Sequence, residues 1–179
     1  MRKLLVVVDY QKDFVDGALG FEKAVELENC IYDKVNKYLA EGEKVLFTYD
    51  THHENYLETR EGKNLPVIHC IEGTEGHDLY GSLKEFKNVK NTYHYNKGSF
   101  GISPAGMIKI AKEIGDEIDA IEIIGVVTNM CVVSNVVTLQ SQYTNADISV
   151  DGALCASFDE VLHDKALDVI ESLQVKVIR

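Results

Sequence analysis

The amino-acid sequence predicts an α/β fold of three layers, a mostly parallel six-stranded sheet with helices on both faces. Three observations predict it. Short apolar runs alternate with segments of helical periodicity. The runs are almost continuously apolar, as in strands buried on both faces. Polar or ionisable residues directly follow the runs, as at the carboxyl edge of a parallel sheet, where ligands bind. The 179 residues suffice for one domain, 1–179, with a full core.

The elements follow in order. Leu4 to Val8 reads as a buried strand; the apolar run behind Met1-Arg2-Lys3 ends at Asp9 and is too short for a signal-peptide core. Leu27, Ile31, Val35 and Leu39 share one helical face, and Gly42 marks that helix's end. Lys44 to Tyr49 is a second strand. Residues 50–85, with Gly62, Gly73, Gly76 and Gly81, read as irregular; a loop that long in a compact domain is functional or disordered. Asn91 to Tyr95 is a short third strand. Ser103 is the N-cap and Pro104 the first residue of a helix reaching Ile114-Gly115. Ile121 to Val127, broken only by Glu122, is the fourth strand, and a helix follows from Asn129 to Tyr143. Ala146 to Val150 is the fifth strand. Ser157-Phe158-Asp159-Glu160 reads as a capping box opening a helix to Ser172, and Val175 to Ile178 closes the sheet.

Composition narrows the function. A formal net charge of −11 argues against nucleic acid or an anionic membrane as a partner. No apolar run approaches the roughly 20 residues of a membrane span. The four cysteines, Cys30, Cys70, Cys131 and Cys155, show no CxxC pairing, which suits a cytoplasmic chain with free thiols.

Two constellations carry chemistry. Cys131 stands just past the fourth strand, where a helix begins; the positive end of a helix dipole lowers a thiol pKa and favours the nucleophilic thiolate. Asp9, at the tip of the first strand, is a candidate proton acceptor, and Lys97 a group that would hold acid and thiolate in one ion cluster. Singly, these are a packing cysteine, a turn aspartate and a solvated lysine. Their convergence on one sheet edge, which Asp151 after the fifth strand is expected to share, makes them a candidate site. In the second constellation, Asp50 and His52 project to one side of an extended Asp50-Thr51-His52 segment. With His69 they form a two-histidine, one-carboxylate set suited to zinc or ferrous iron. His53 would point the other way. Glu58 lies between the ligands, either as a fourth one or as a solvated acid.

Asp9-Tyr10-Gln11-Lys12-Asp13-Phe14, Lys97-Gly98 and Gly125-Val126-Val127-Thr128-Asn129-Met130-Cys131-Val132 resemble three motifs of the isochorismatase-like cysteine hydrolases. The likeness runs from the first strand to Ala156-Ser157-Phe158. Tyr49-Asp50-Thr51-His52 with Ile68-His69-Cys70-Ile71-Glu72-Gly73-Thr74-Glu75-Gly76 is similar to the metal site of the family's nicotinamidase branch. The resemblance implies a Rossmann-like fold, Asp9 as general base, Lys97 as third triad member and Cys131 as nucleophile. It implies a cis peptide before Val127, with the backbone N–H groups of Val127 and Cys131 forming an oxyanion hole. Phe14 would stack on the substrate ring. Asp50, His52 and His69, with Glu58 as a candidate fourth, would bind a divalent metal, zinc first, with iron and manganese as alternatives. The implied reaction is nicotinamide to nicotinate and ammonia through a thioester, in a homo-oligomer acting on a small-molecule amide. Three departures stand out. The chain has no tryptophan, although nicotinamidases often carry one shortly before the third ligand, where this chain has Leu65-Pro66-Val67-Ile68. Arg60-Glu61-Gly62-Lys63 reads as an insertion, and Asn129 stands where the family commonly has Asp. The competing readings are a hydrolase of another small amide or ureido compound, a 2-His-1-carboxylate iron protein, and a non-catalytic binding module.

Overall fold

The apolar runs become six strands in the computed structural model, which describes residues 1–179: β1 Lys3–Val8, β2 Lys44–Asp50, β3 Thr92–Lys97, β4 Ala120–Val126, β5 Asp147–Ala156 and β6 Lys176–Ile178. They form one sheet in the order β3-β2-β1-β4-β5-β6, every neighbouring pair parallel. The helices are α1 Lys12–Val15, α2 Glu22–Glu26, α3 Glu28–Ala40, α4 Arg60–Asn64, α5 Pro104–Ile114, α6 Val133–Gln142 and α7 Glu160–Ser172. Successive β1 side chains point to opposite faces. Leu4, Val6 and Val8 join a core with residues of α5, α6 and α7, while Leu5 and Val7 join one with residues of α1, α2 and α3. The sheet is thus the middle of three layers. No helix is long and apolar enough to cross a membrane.

The structure departs from the sequence reading where elements are short or where tertiary contacts decide. The region 50–85 carries α4 and three short 3₁₀ segments, Tyr56–Glu58, Glu75–His77 and Gly81–Asn88. The helix after β4 begins with a π-helical turn, Thr128–Val132. The N-cap of α7 is Asp159, whose Oδ1 accepts from Leu162 N at 3.0 Å; Ser157 instead accepts from Asp159 N at 3.1 Å and donates to Asn129 Oδ1 at 2.7 Å. Ser103 caps α5 through Gly106 N as the sequence suggests.

Asp151 does not share the carboxyl edge, because β5 continues five residues beyond it to Ala156. Ile123 pairs with Val150 but Gly125 with Cys155, so β5 bulges in this stretch. Asp151 instead accepts from Lys34 Nζ of α3 at 3.1 Å, and Glu122 accepts from the same ammonium at 2.6 Å. The Tyr38 hydroxyl donates to Glu122 Oε2 at 2.6 Å. This network explains why one glutamate interrupts the apolar run of β4: it is a part-buried acid matched by a lysine and a tyrosine from the covering helix.

Gly125 allows β4 to run against the end of β1. Its φ is +115°, and a Cβ there would lie 2.2 Å from Val8 O. Replacing Gly125 by Ala is expected to cost about 2 kcal/mol or more of stability, read as a lower urea midpoint; an unchanged midpoint contradicts this packing argument. Lys34→Met leaves Glu122 and Asp151 without their shared donor and is expected to cost roughly 2 kcal/mol, measured in the same way.

Candidate active site

The strand order reverses between β1 and β4, and ligands bind at such a switch point. Asp9 follows β1, Cys131 follows β4 and Lys97 ends β3, so the three meet there. Asp9 turns out of the strand with φ 47°, a conformation rare for a non-glycine residue and common at functional sites. Its N–H is held by Thr48 O at 3.2 Å, and the Thr48 hydroxyl donates to Asp9 Oδ1 at 2.6 Å. The second oxygen, Oδ2, lies 2.6 Å from Lys97 Nζ. Lys97 Nζ is also 3.8 Å from Cys131 Sγ, 3.7 Å from Asp50 Oδ1 and 3.0 Å from Ser99 O, to which it donates. All of these functional groups are buried.

Burial works against every charge here, so the neighbours decide each protonation state. Burial raises the Asp9 pKa; Lys97 and the Thr48 hydroxyl pull it down, and the Asp50 charge pushes it further up. Burial also opposes the Lys97 ammonium, but Asp9, the Cys131 sulfur and Asp50 outweigh it and keep it charged. The Cys131 thiol is pushed well up by burial, with Asp9 adding to the rise and Lys97 opposing it. Burial thus runs against the lowering expected of a thiol at a helix start, which gives weight to the candidate proton acceptor, Asp9, beside it.

Cys131 lies within the π-helical turn. The Val126–Val127 peptide is cis. Val127 O accepts from Met130 N at 3.0 Å and Val132 N at 3.2 Å, the residues on either side of Cys131.

Next to Lys97, Asp50, His52, Glu61 and His69 converge, with one ligating atom from each lying within 4.8 Å of all the others. Asp50 Oδ2 is 3.1 Å from His52 Nε2 and 3.5 Å from His69 Nε2; His52 Nε2 is 3.6 Å from Glu61 Oε1. Val67 O can only accept, so at 2.7 Å it fixes the proton on His69 Nδ1 and leaves Nε2 toward Asp50. Burial opposes the Asp50 charge, but His52, His69 and Lys97 hold its carboxyl well below the usual range. The set fits a divalent cation on three counts. Asp50 Oδ1 is buried with no hydrogen-bond partner. Two imidazoles and two carboxylates are the donors that borderline metals prefer. The carboxylates of Asp9, Asp50 and Glu61 face a single ammonium, Lys97, an imbalance that a cation offsets.

The sequence-derived residues Asp9, Lys97 and Cys131 come together, as do Asp50, His52 and His69. Phe14 is buried, its ring edge-on to His69 at 5.4 Å between centroids. His53 points away, 68% exposed. Glu58 is exposed in the 3₁₀ segment Tyr56–Glu58 and stands outside the cluster; Glu61 occupies the fourth place. The reason is local. Residues 60–63 form the first turn of α4, capped by Thr59, whose Oγ1 accepts from Gly62 N at 3.0 Å. The Thr59 cap was the signal that could have turned Glu61 inward. Sequence reasoning also missed the supports. Gln11 accepts from Asp50 N at 2.8 Å and donates to Asp50 O at 2.9 Å, clamping the Asp50 backbone. Asp13 accepts from Cys70 N at 2.7 Å, next to His69. Tyr56 packs its ring on both imidazoles, with centroids 4.5 and 5.0 Å away.

The chain is similar to known proteins over nearly its whole length. Residues 3–179 match the isochorismatase domain. A Bacillus subtilis (strain 168) protein, described as uncharacterized isochorismatase family protein PncA, is 30% identical over 174 residues, 93% of each chain. The crystal structure of nicotinamidase/pyrazinamidase PncA from Bacillus subtilis superposes with a TM-score of 0.87 at 26% identity, covering 100% of both chains. The Pyrococcus horikoshii pyrazinamidase in complex with zinc shares the fold, with a TM-score of 0.84 at 20% identity over 100% of this chain and 99% of that one. The chain therefore belongs to the isochorismatase family.

Proposed function

We propose that the protein hydrolyses nicotinamide to nicotinate and ammonia through a thioester on Cys131. The observation that carries this reading is one buried lysine touching both constellations, 3.8 Å from the Cys131 sulfur and 3.7 Å from Asp50 of the ligand cluster. A scissile carbonyl at Cys131 then lies beside a site suited to anchoring the rest of the substrate. The Bacillus subtilis nicotinamidase/pyrazinamidase, alike over its whole length, supports the substrate class.

Asp9 takes the proton from Cys131 Sγ as the sulfur adds to the carboxamide carbon. Lys97 holds the Asp9 carboxylate in place and stabilises the developing thiolate. The N–H groups of Val127 and Cys131 receive the oxyanion, a contribution of roughly 3 kcal/mol per donor. Asp9 returns its proton to the departing amine, and ammonia leaves. Asp9 then deprotonates water, which attacks the thioester and releases the carboxylate and the thiol. Asp50, His52, His69 and Glu61 would hold a divalent metal, with zinc the first candidate and iron and manganese alternatives. When bound, that ion supplies a Lewis acid for a pyridine nitrogen, which orients the ring. Phe14, packed on His69, lines the ring's side of the site. A homo-oligomer belongs to the same proposal, and light scattering of the purified protein checks it.

A second reading, the same chemistry on another small amide or ureido compound, is favoured by the absence of any tryptophan to wall the ring pocket. A screen of amides by ammonia release separates the two. For nicotinamide, Cys131→Ala is expected to lower kcat by about 10³-fold or more while binding survives; full activity in that variant overturns the cysteine mechanism. Chelation is expected to abolish turnover or raise KM strongly, with recovery on adding back zinc, and elemental analysis to find a divalent metal. Unchanged kinetics in the metal-free protein remove the ion from the mechanism. Glu61→Gln is expected to weaken metal retention and Glu58→Gln to leave it unchanged, read by the same elemental analysis; the reverse pattern contradicts the ligand assignment.

A further inference from the structure

We infer that Asn135 is a positioning residue that holds the nucleophile turn and the loop after Lys97 in register, and so sets the approach of Lys97 to Cys131. The inference rests on the cysteine mechanism proposed above. Asn135 stands on α6, four residues beyond Cys131, and is completely buried. A buried carboxamide must satisfy its polar atoms. Its Nδ2 donates to Cys131 O at 2.8 Å and to Phe100 O at 3.0 Å, and its Oδ1 accepts from Ile102 N at 3.1 Å. One side chain thus bridges the backbone of the nucleophile to two residues of the 98–102 loop.

The loop leads back to the reacting atoms. Lys97 Nζ donates to Ser99 O at 3.0 Å and faces Cys131 Sγ at 3.8 Å. The path from Cys131 Sγ through Lys97, Ser99, Phe100 and Asn135 to Cys131 O is therefore a closed ring. The loop has little burial of its own to fix it: Gly98, Ser99 and Phe100 are exposed, and only Ile102 enters the core. Hydrogen bonds must fix such a segment. It also runs close to α6, since a Cβ on Gly101 would lie 3.1 Å from Ser134 O. A side chain that reaches both partners across this short gap is what the ring requires.

Two substitutions separate positioning from packing. Asn135→Ser keeps a hydroxyl able to bond the carbonyl four residues back, Cys131 O, but cannot reach the loop. Asn135→Leu has similar volume and removes all three bonds. The measurements are kcat and KM for nicotinamide, the melting temperature, and the iodoacetamide alkylation rate of Cys131 by peptide mass spectrometry, with exposed Cys30 as internal reference. Displacement of the sulfur from Lys97 is expected to lower kcat about tenfold or more in both variants. KM should stay within about twofold. Alkylation at Cys131 should slow relative to Cys30, and Asn135→Ser should remain folded. If Asn135→Leu does not fold, Asn135→Ser carries the test. Rates at Cys131 within about twofold of the parent protein, with or without a lower melting temperature, reduce Asn135 to a packing residue and overturn the inference. Alkylation needs no substrate, so a protein that leaves nicotinamide untouched loses the functional reading while this comparison still decides the role of Asn135.

Discussion

A single buried ammonium, Lys97, holds the site together. It faces Asp9 at 2.6 Å, Asp50 at 3.7 Å and the Cys131 sulfur at 3.8 Å, with its side chain 1% exposed. Removing each ion from water costs several kcal/mol, and a lone buried pair barely repays that. Attraction between unit charges 4 Å apart is worth about 4 kcal/mol at an effective dielectric of 20. One ammonium between two carboxylates gains that attraction twice while burying only three ions. Lys97 is therefore bound into folding and, in the proposed reaction, into chemistry: without it, two carboxylates would lie buried beside each other and beside the sulfur that the reaction would turn into an anion.

The fold exists, for this purpose, to bring three strand ends together. Parallel strands put all their carboxyl ends on one edge, and the reversal of order between β1 and β4 opens a crevice there. Asp9 and Cys131 flank that reversal, and β3 delivers Lys97 from the sheet's outer edge, where Asp50 pairs with Lys97 in register. The supports are as specific as the reacting groups. Thr48 engages one oxygen of Asp9 so that the other faces Lys97, and Gln11 clamps the backbone of Asp50. The Asp9-Tyr10-Gln11-Lys12-Asp13-Phe14 segment thus serves both constellations: Asp9 belongs to the first, while Gln11, Asp13 and Phe14 brace the second.

How much of this could be read from the chain depended on the range of the signal. The strands were legible, most as apolar runs and β3 only as a short segment of Thr, Tyr and His, and so were α3, α5 and α7, which are long or clearly capped. Helices α1 and α2 were not, being only four and five residues long, too short to show a period. Asp9, Lys97 and Cys131 were legible as strand-end residues, and the motif resemblance supplied their proposed roles. Glu61 was hidden because its inward turn depends on α4, a one-turn helix set by the Thr59 cap inside a glycine-dotted region. Asp151 was misplaced because a bulge lengthens β5 past the point where its apolar run stops. Asn135 gave no local sign at all: its partners lie four residues back in a helix and about 35 residues away in a loop.

In the proposed reaction a buried thiol, deprotonated by Asp9 beside Lys97, forms an acyl intermediate. The most direct measurement is hydroxylamine partitioning during nicotinamide turnover. A thioester on Cys131 predicts the hydroxamate at the expense of nicotinate, rising with hydroxylamine while ammonia release continues, and lost in Cys131→Ala. Nicotinate and ammonia formed at the normal rate, with no hydroxamate at any hydroxylamine concentration, would contradict the acyl-enzyme and with it the role given to Cys131.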